Sequence, residues 1–352
     1  MVAMADVCDI IAPAVERGFP APYFGGKRHA ARLVWQAIGE NVQHYIEPFC
    51  GTAAVLLAVP ARANRLETIN DADGYVVNAL RALKFAPDEV TEHADWPVSE
   101  LDLHARHLAL LSEAKPDVKR LMTDPYYYDA RAAGWWIWGL GSCICGDWCH
   151  GAGAWTRERI MGEKSPAGAP GISLARPHLT CRNGVHVLPD RGWREAPRRE
   201  FLLGWFRSIA ARLERVRILC GDWRSVCTPS VLFCRRSRGI TGLFLDPPYR
   251  RDNGRDPHLY ATESDVALDA YSWAFEHGDD PRLRIVLAGW EGDVELPPGW
   301  RLVRWNKPGG YSAMGGPDTQ RLERLWLSPH CLPVDQTPGV QLAWITQSGS
   351  AG

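Results

Sequence analysis

The sequence predicts an α/β fold, and two patterns carry that expectation. Short apolar runs end repeatedly on an acid: Leu243-Phe244-Leu245 runs into Asp246, Tyr45-Ile46 into Glu47, and Val216 to Cys220 into Asp222. Between them, apolar residues recur at helical spacing, as in Gly74 to Leu83 and Phe201 to Arg215. Strands alternating with helices imply parallel pairing, and open sheets of that kind bind ligands in the crevice outside the carboxyl ends of their strands. The acids at those ends are therefore candidates for ligand contact.

In chain order, residues 1–20 read as a loosely held leader, and Asp6 and Asp9 interrupt any apolar signal segment there. A helix is expected from about His29 to Ile38. Just before it, Pro22-Tyr23-Phe24-Gly25-Gly26-Lys27 offers two glycines for a sharp loop, a cation and aromatic faces. Lys27 can hold a carboxylate, and Tyr23 can contact a sulfonium or a purine ring. The stretch Tyr45-Ile46-Glu47-Pro48-Phe49-Cys50-Gly51-Thr52-Ala53-Ala54 reads as strand, tight turn and helix start. Gly51 and the small residues after it let the backbone approach a ligand, although a single glycine is no dinucleotide fingerprint. Glu67 to Asp73 ends a further strand on acids suited to a ribose diol, Asp71 first and Glu67 behind it. Asp222, after its own strand, can accept the amino group of a bound adenine or simply cap a turn.

Asp246-Pro247-Pro248-Tyr249 is the most informative element. Two prolines fix φ and remove two donors, so nearby carbonyls are spared from local bonding. An aromatic amino nitrogen is a poor nucleophile because its lone pair is delocalised. Asp246 and the Pro247 carbonyl can accept its two hydrogens, while Tyr249 stacks on the base, a contact of about 1–3 kcal/mol in nucleic-acid sites. Positioning and fixed dipoles then supply most of the rate.

The series YFGGK, EPFCGTAAVLL, INDADGYVVN, CGDW and LDPPY resembles the Dam-like (D12 class) N6-adenine-specific DNA methyltransferases, over about residues 20–90 and 205–330. The resemblance implies a Rossmann-like S-adenosylmethionine-dependent methyltransferase core with an inserted target-recognition region. Residues 1–94 would form the cofactor-binding part of the core, 95–200 the insert, 201–330 the catalytic part and 331–352 a tail. It implies methyl transfer to adenine N6 in a specific sequence of double-stranded DNA, after base flipping. Cofactor contacts are expected from Tyr23, Gly25, Gly26, Lys27, Glu47, Phe49, Gly51, Asp71, Asp222 and Asp246, and catalysis from Asp246, Pro247 and Tyr249. Tyr23 stands where tryptophan is common in the family, and Cys50-Gly51-Thr52-Ala53 replaces a more glycine-rich turn. The alternatives are methylation of cytosine N4 or an RNA base, or an inactive DNA-binding relative.

Composition fits this expectation. A chain of 352 residues holds a large α/β core with an insert, and its net charge of −1 makes charge distribution the relevant quantity. From Arg176 to Arg217 there are ten arginines, no lysine and four acids. With Arg235, Arg236, Arg238, Arg250, Arg251 and Arg255 around the DPPY strand, they suggest a positive rim for phosphates. No run is long enough to span a bilayer, so a cytoplasmic monomer with free thiols is expected. Cys143, Cys145, Cys149 and His150, with His178 and Cys181, approach metal-ligand spacing, but buried or loop thiols are favoured and no metal is required. The tryptophans among the aromatic clusters of 126–155 read as core rather than base-stacking residues.

Overall fold

Seven strands form one sheet in the order β3-β2-β1-β4-β5-β7-β6. They are β1 His44–Glu47, β2 Leu66–Asp71, β3 Arg217–Cys220, β4 Thr241–Leu245, β5 Leu283–Trp290, β6 Arg301–Arg304 and β7 Glu323–Leu327. The computed structural model describes residues 12–23, 26–142, 148–149, 198–234, 239–248, 266–304 and 323–335. Strands β1 to β5 pair in parallel, and β7 runs antiparallel between β5 and β6. The order 3-2-1-4-5 is that of a doubly wound, Rossmann-like sheet, so the fold class read from the sequence holds.

The strands are apolar on both faces because both are covered. In β4, Leu243 and Leu245 enter one buried cluster and Phe244 the opposite one. Strand β5 repeats the alternation, with Leu283, Ile285 and Leu287 on one side and Val286 and Ala288 on the other. The face of Phe244 and Val286 carries α1 (residues 12–17), α2 (Ala31–Ile38), α3 (Ala54–Leu57), α4 (Gly74–Phe85), α5 (Pro87–Ala94), α6 (Glu100–Leu111), α8 (Ala130–Ser142) and α9 (Arg198–Leu213). Helix α7 (Val118–Thr123) packs beside α4 and the edge strand β3. The face of Leu243 and Leu245 carries a short 3-10 helix, Trp223–Val226, then α10 (Pro229–Leu232) and α11 (Ala267–His277).

Several elements differ from expectation. Residues 12–17 of the supposed leader form α1, and Ala14 is fully buried. Strand β6 escaped notice because Arg301-Leu302-Val303-Arg304 is too short and too charged for an apolar run. The described part of 95–142 consists of α6 to α8, and α8 packs directly on α4 and α5. Trp136 and Trp138 of α8 are core, as their clustering suggested.

The arginine-rich segment also behaves differently. Arg198, Arg199 and Arg207 pair with Asp95, Glu92 and Asp88 at 2.8, 3.1 and 2.6 Å, so they pin α9 to α5 and the residue after it. Arg212 is buried and holds Glu67 at 2.7 Å, with Arg65 on the same carboxylate. Two cations overcome the cost of burial and keep the Glu67 carboxyl below its usual range. Glu67 is thus a structural acid in the core rather than a reserve ligand for a ribose. Arginines 176, 182, 191, 194, 235, 236, 238, 250, 251 and 255 lie outside the described residues.

Candidate active site

The chain runs outward from β1 to β3, then returns to lay β4 against the other side of β1. This reversal opens a crevice at the carboxyl ends of β1 and β4. A cavity of about 320 Å³ lies at these strand ends. Turns after four successive strands of the sheet build it: Glu47 to Gly51 after β1, Asp71 to Asp73 after β2, Gly221 to Trp223 after β3, and Asp246 with Pro248 after β4. Tyr23, Gly26 and Lys27 close it from the loop before α2.

Hydrogen bonds lock these turns together. Asn70, at 1% exposure, donates from Nδ2 to the carbonyls of Pro48 and Gly221 at 3.0 and 2.9 Å, tying the turns after β1 and β3 across β2. Asp71 accepts the Gly51 N–H at 2.8 Å on one oxygen and the Asp73 N–H at 2.9 Å on the other. Asp73 caps α4 by accepting the Tyr75 N–H at 2.8 Å. Asp222 likewise caps the 3-10 helix, accepting from Arg224 N at 2.8 Å, and pairs with the Arg224 guanidinium at 3.2 Å. It lines the cavity as a solvated acid, because that short helix sits at the sheet edge.

The β1 turn owes its shape to two left-handed residues, Gly51 at φ +47° and Ala53 at φ +54°. A Cβ on Gly51 would lie 3.3 Å from Tyr23 Cε1, so glycine lets the Tyr23 ring close over the turn. Tyr23 in turn leans on the buried Trp136 of α8, ring centroids 6.1 Å apart. Phe49 packs against Trp223 at 5.6 Å, giving the cavity a second aromatic side.

Acids dominate the electrostatics. Burial pushes the Glu47 carboxyl up to about 8, against hydrogen bonds from the Tyr45 hydroxyl and the Leu56 backbone. The Tyr45 contact is 2.6 Å. Burial, reinforced by neighbouring Asp73, takes Asp71 to about 6, and burial raises Asp73 as well. Lys27 Nζ lies 2.8 Å from Asp246 Oδ2 and 2.8 Å from Glu323 Oε1. The loop at Gly26 and the carboxylate of Asp246 therefore meet in one cleft, although more than two hundred positions separate them in the chain.

Of the residues expected at the site, Tyr23, Gly26, Lys27, Glu47, Phe49, Gly51, Asp71, Asp222 and Asp246 line this cavity. Pro247 is buried beside it at the end of β4. Gly25 and Tyr249 lie outside the described residues, as do Cys143, Cys145, His150, His178 and Cys181. Among the described residues no group of three or more His, Cys, Asp or Glu side chains is placed to hold a metal, and no helix is long and apolar enough to cross a membrane. Sequence reasoning missed Asn70 and Glu323. Asn70 stood inside a quoted motif without a role, and nothing local to Glu323 marks it.

The residues fit S-adenosylmethionine on their own chemistry. The cavity reaches the lower end of the usual size for small-ligand sites. Buried acids suit a sulfonium and an ammonium, and aromatic rings suit a purine. A search of curated proteins finds no match to the chain. Residues 23–133 match the family of D12 class N6 adenine-specific DNA methyltransferases. That stretch, under a third of the chain, holds the Tyr23 loop, the Gly51 turn and the Asp71 strand end, and the family it matches is the Dam-like class that the motifs resemble.

Proposed function

We propose that the protein transfers a methyl group from S-adenosylmethionine to the N6 amino group of adenine in a specific sequence of double-stranded DNA. The observation that carries this reading is the junction of Lys27 with Asp246 in a cavity lined by the YFGGK, EPFCGT, INDAD, CGDW and DPPY motifs. The family match supports DNA adenine methylation in general; the cofactor, base flipping and residue roles are the proposal.

S-adenosylmethionine supplies a methyl group on a sulfonium, ready for direct displacement. The chain's own groups do the rest. Tyr23, Phe49 and Trp223 bind flat and cationic parts of the donor, while Asp71 and Asp222 offer acceptors beside them. The target adenine leaves the DNA stack. Asp246 and the Pro247 carbonyl accept its two amino hydrogens, with Tyr249 stacked on the ring. Held so, the amino nitrogen would present its lone pair to the methyl group that the bound donor supplies, and its surplus proton would pass to solvent. No covalent enzyme intermediate is needed. The described arginines of α9 serve packing, so the proposal places phosphate contacts on other basic residues.

Asp246→Ala tests the assignment, with tritiated methyl donor and duplex DNA under single-turnover conditions. Removing a transition-state acceptor of this kind lowers the rate by about 10²–10³-fold, while DNA affinity stays near that of the wild type. Turnover close to normal in the variant contradicts the role given to Asp246.

A further inference from the structure

Three carboxylate and ammonium groups from distant parts of the chain share one buried corner. Lys27 comes from the loop before α2, Asp246 follows β4, and Glu323 opens β7. Their side chains are 4%, 17% and 12% exposed. The antiparallel direction of β7 explains the meeting. Its register sets Glu323 opposite Trp290, the last residue of β5, so β7 delivers its first residue to the edge where β4 delivers its last.

Burying three charged groups is poorly explained by stability, because desolvation offsets most of their mutual attraction. The effect on the cavity is a better explanation. Lys27 and Asp246 line it, and Glu323 touches it through Lys27. As a pair, Lys27 and Asp246 are electrically neutral. Glu323 sets a second carboxylate against that one ammonium.

We propose that Glu323 is a positioning residue that anchors the Lys27 ammonium beside Asp246 and adds negative charge at this end of the cavity, favouring a sulfonium ligand over its neutral thioether product. The inference rests on reading the cavity as an S-adenosylmethionine site. It gives Glu323 two roles: it keeps Lys27 from collapsing onto Asp246 alone, which leaves Asp246 a stronger acceptor, and it aids release of the spent donor.

S-adenosylmethionine and S-adenosylhomocysteine differ only by the methyl group and the positive charge on sulfur. Their affinity ratio therefore isolates charge, since lost packing or a displaced Lys27 weakens both ligands together. Isothermal titration calorimetry on the full chain measures both dissociation constants. Glu323→Gln should raise the ratio of the S-adenosylmethionine constant to the S-adenosylhomocysteine constant roughly fivefold, the size of one charge acting across a partly solvated cavity. Glu323→Asp keeps the charge and should leave the ratio within about twofold. The double variant Lys27→Met/Glu323→Gln retains the charge of Asp246 and should also keep the wild-type ratio, even if both affinities fall. An unchanged ratio in Glu323→Gln overturns the inference, as does a shifted ratio in the double variant. Should Glu323→Gln fail to fold, the other two variants carry the test, and a shift in either contradicts the proposal. If the wild-type protein binds neither ligand, the cofactor reading itself fails and the inference falls with it.

Discussion

Glu47 shows how a single buried group ties the site to stability. Its carboxyl is 1% exposed, and burial lifts its pKa from 4.5 to about 8. In the unfolded chain it releases its proton near pH 4.5, whereas the folded protein retains it up to about 8. Across that window the folded state binds more protons, so the contribution of Glu47 to stability falls as pH rises and levels off above the folded value. Asp71, raised from 3.8 to about 6, acts with the same sign over a lower window. Glu47→Gln keeps an acceptor for the Tyr45 hydroxyl and removes the titration. The variant should therefore gain stability relative to wild type steadily from pH 4.5 to about 8, as read by thermal unfolding at a series of pH values. A difference that stays constant with pH contradicts the assignment. The identities of Asp246, Lys27 and Glu47 were legible in the sequence because each sits beside proline or glycine in a compact motif. The state of Glu47 was not, because it depends on Tyr45, Leu56 and Arg212 around it.

At the scale of elements, the turn from β1 to α3 carries a conformational cost. Gly51 and Ala53 both sit in the left-handed region, and the Tyr23 ring rests over the first of them. Gly51→Ala places a side chain where φ is +47° and pushes Tyr23 away from the cavity. The backbone term costs about 1 kcal/mol, and the displaced ring should weaken S-adenosylmethionine binding by about tenfold, or ~1.4 kcal/mol. Urea unfolding and calorimetric titration read the two effects separately, and an unaltered affinity contradicts the close approach assigned to this turn. The strands that build the site were readable because each is an apolar run closed by an acid or a glycine turn. Helix α8 was harder. Its run of Gly134-Trp135-Trp136-Ile137-Trp138 is apolar on most sides, which reads as an aromatic cluster without telling which element it serves. The structure shows Trp136 supporting Tyr23 from behind, with Tyr75 at 6.5 Å on its other side. The arginines of α9 misled for a related reason: a run of cations looks like a phosphate surface until the acids of a neighbouring helix are placed against it.

The whole molecule explains why these motifs lie so far apart. A doubly wound sheet brings consecutive strand ends together at its reversal point, so the turns after β1, β2 and β3 form one side of the cavity and β4 supplies Asp246 on the other. Periodicity and motif order were enough to expect that arrangement. The place of β7 was not readable, since Glu323 reaches the site only because that strand runs against the rest of the sheet. The family match over residues 23–133 covers the Tyr23 loop and the turns after β1 and β2, and Asp246 lines the same cavity from outside that stretch. The most direct test of the account is mass spectrometry of nucleosides from the DNA of a methylation-free host expressing the full chain, alongside the same host expressing Asp246→Ala. N6-methyladenine from the wild-type chain and a greatly reduced amount from the variant is the predicted result. Methylated cytosine, no methylated base at all from the wild-type chain, or N6-methyladenine at the wild-type level in the variant would contradict it.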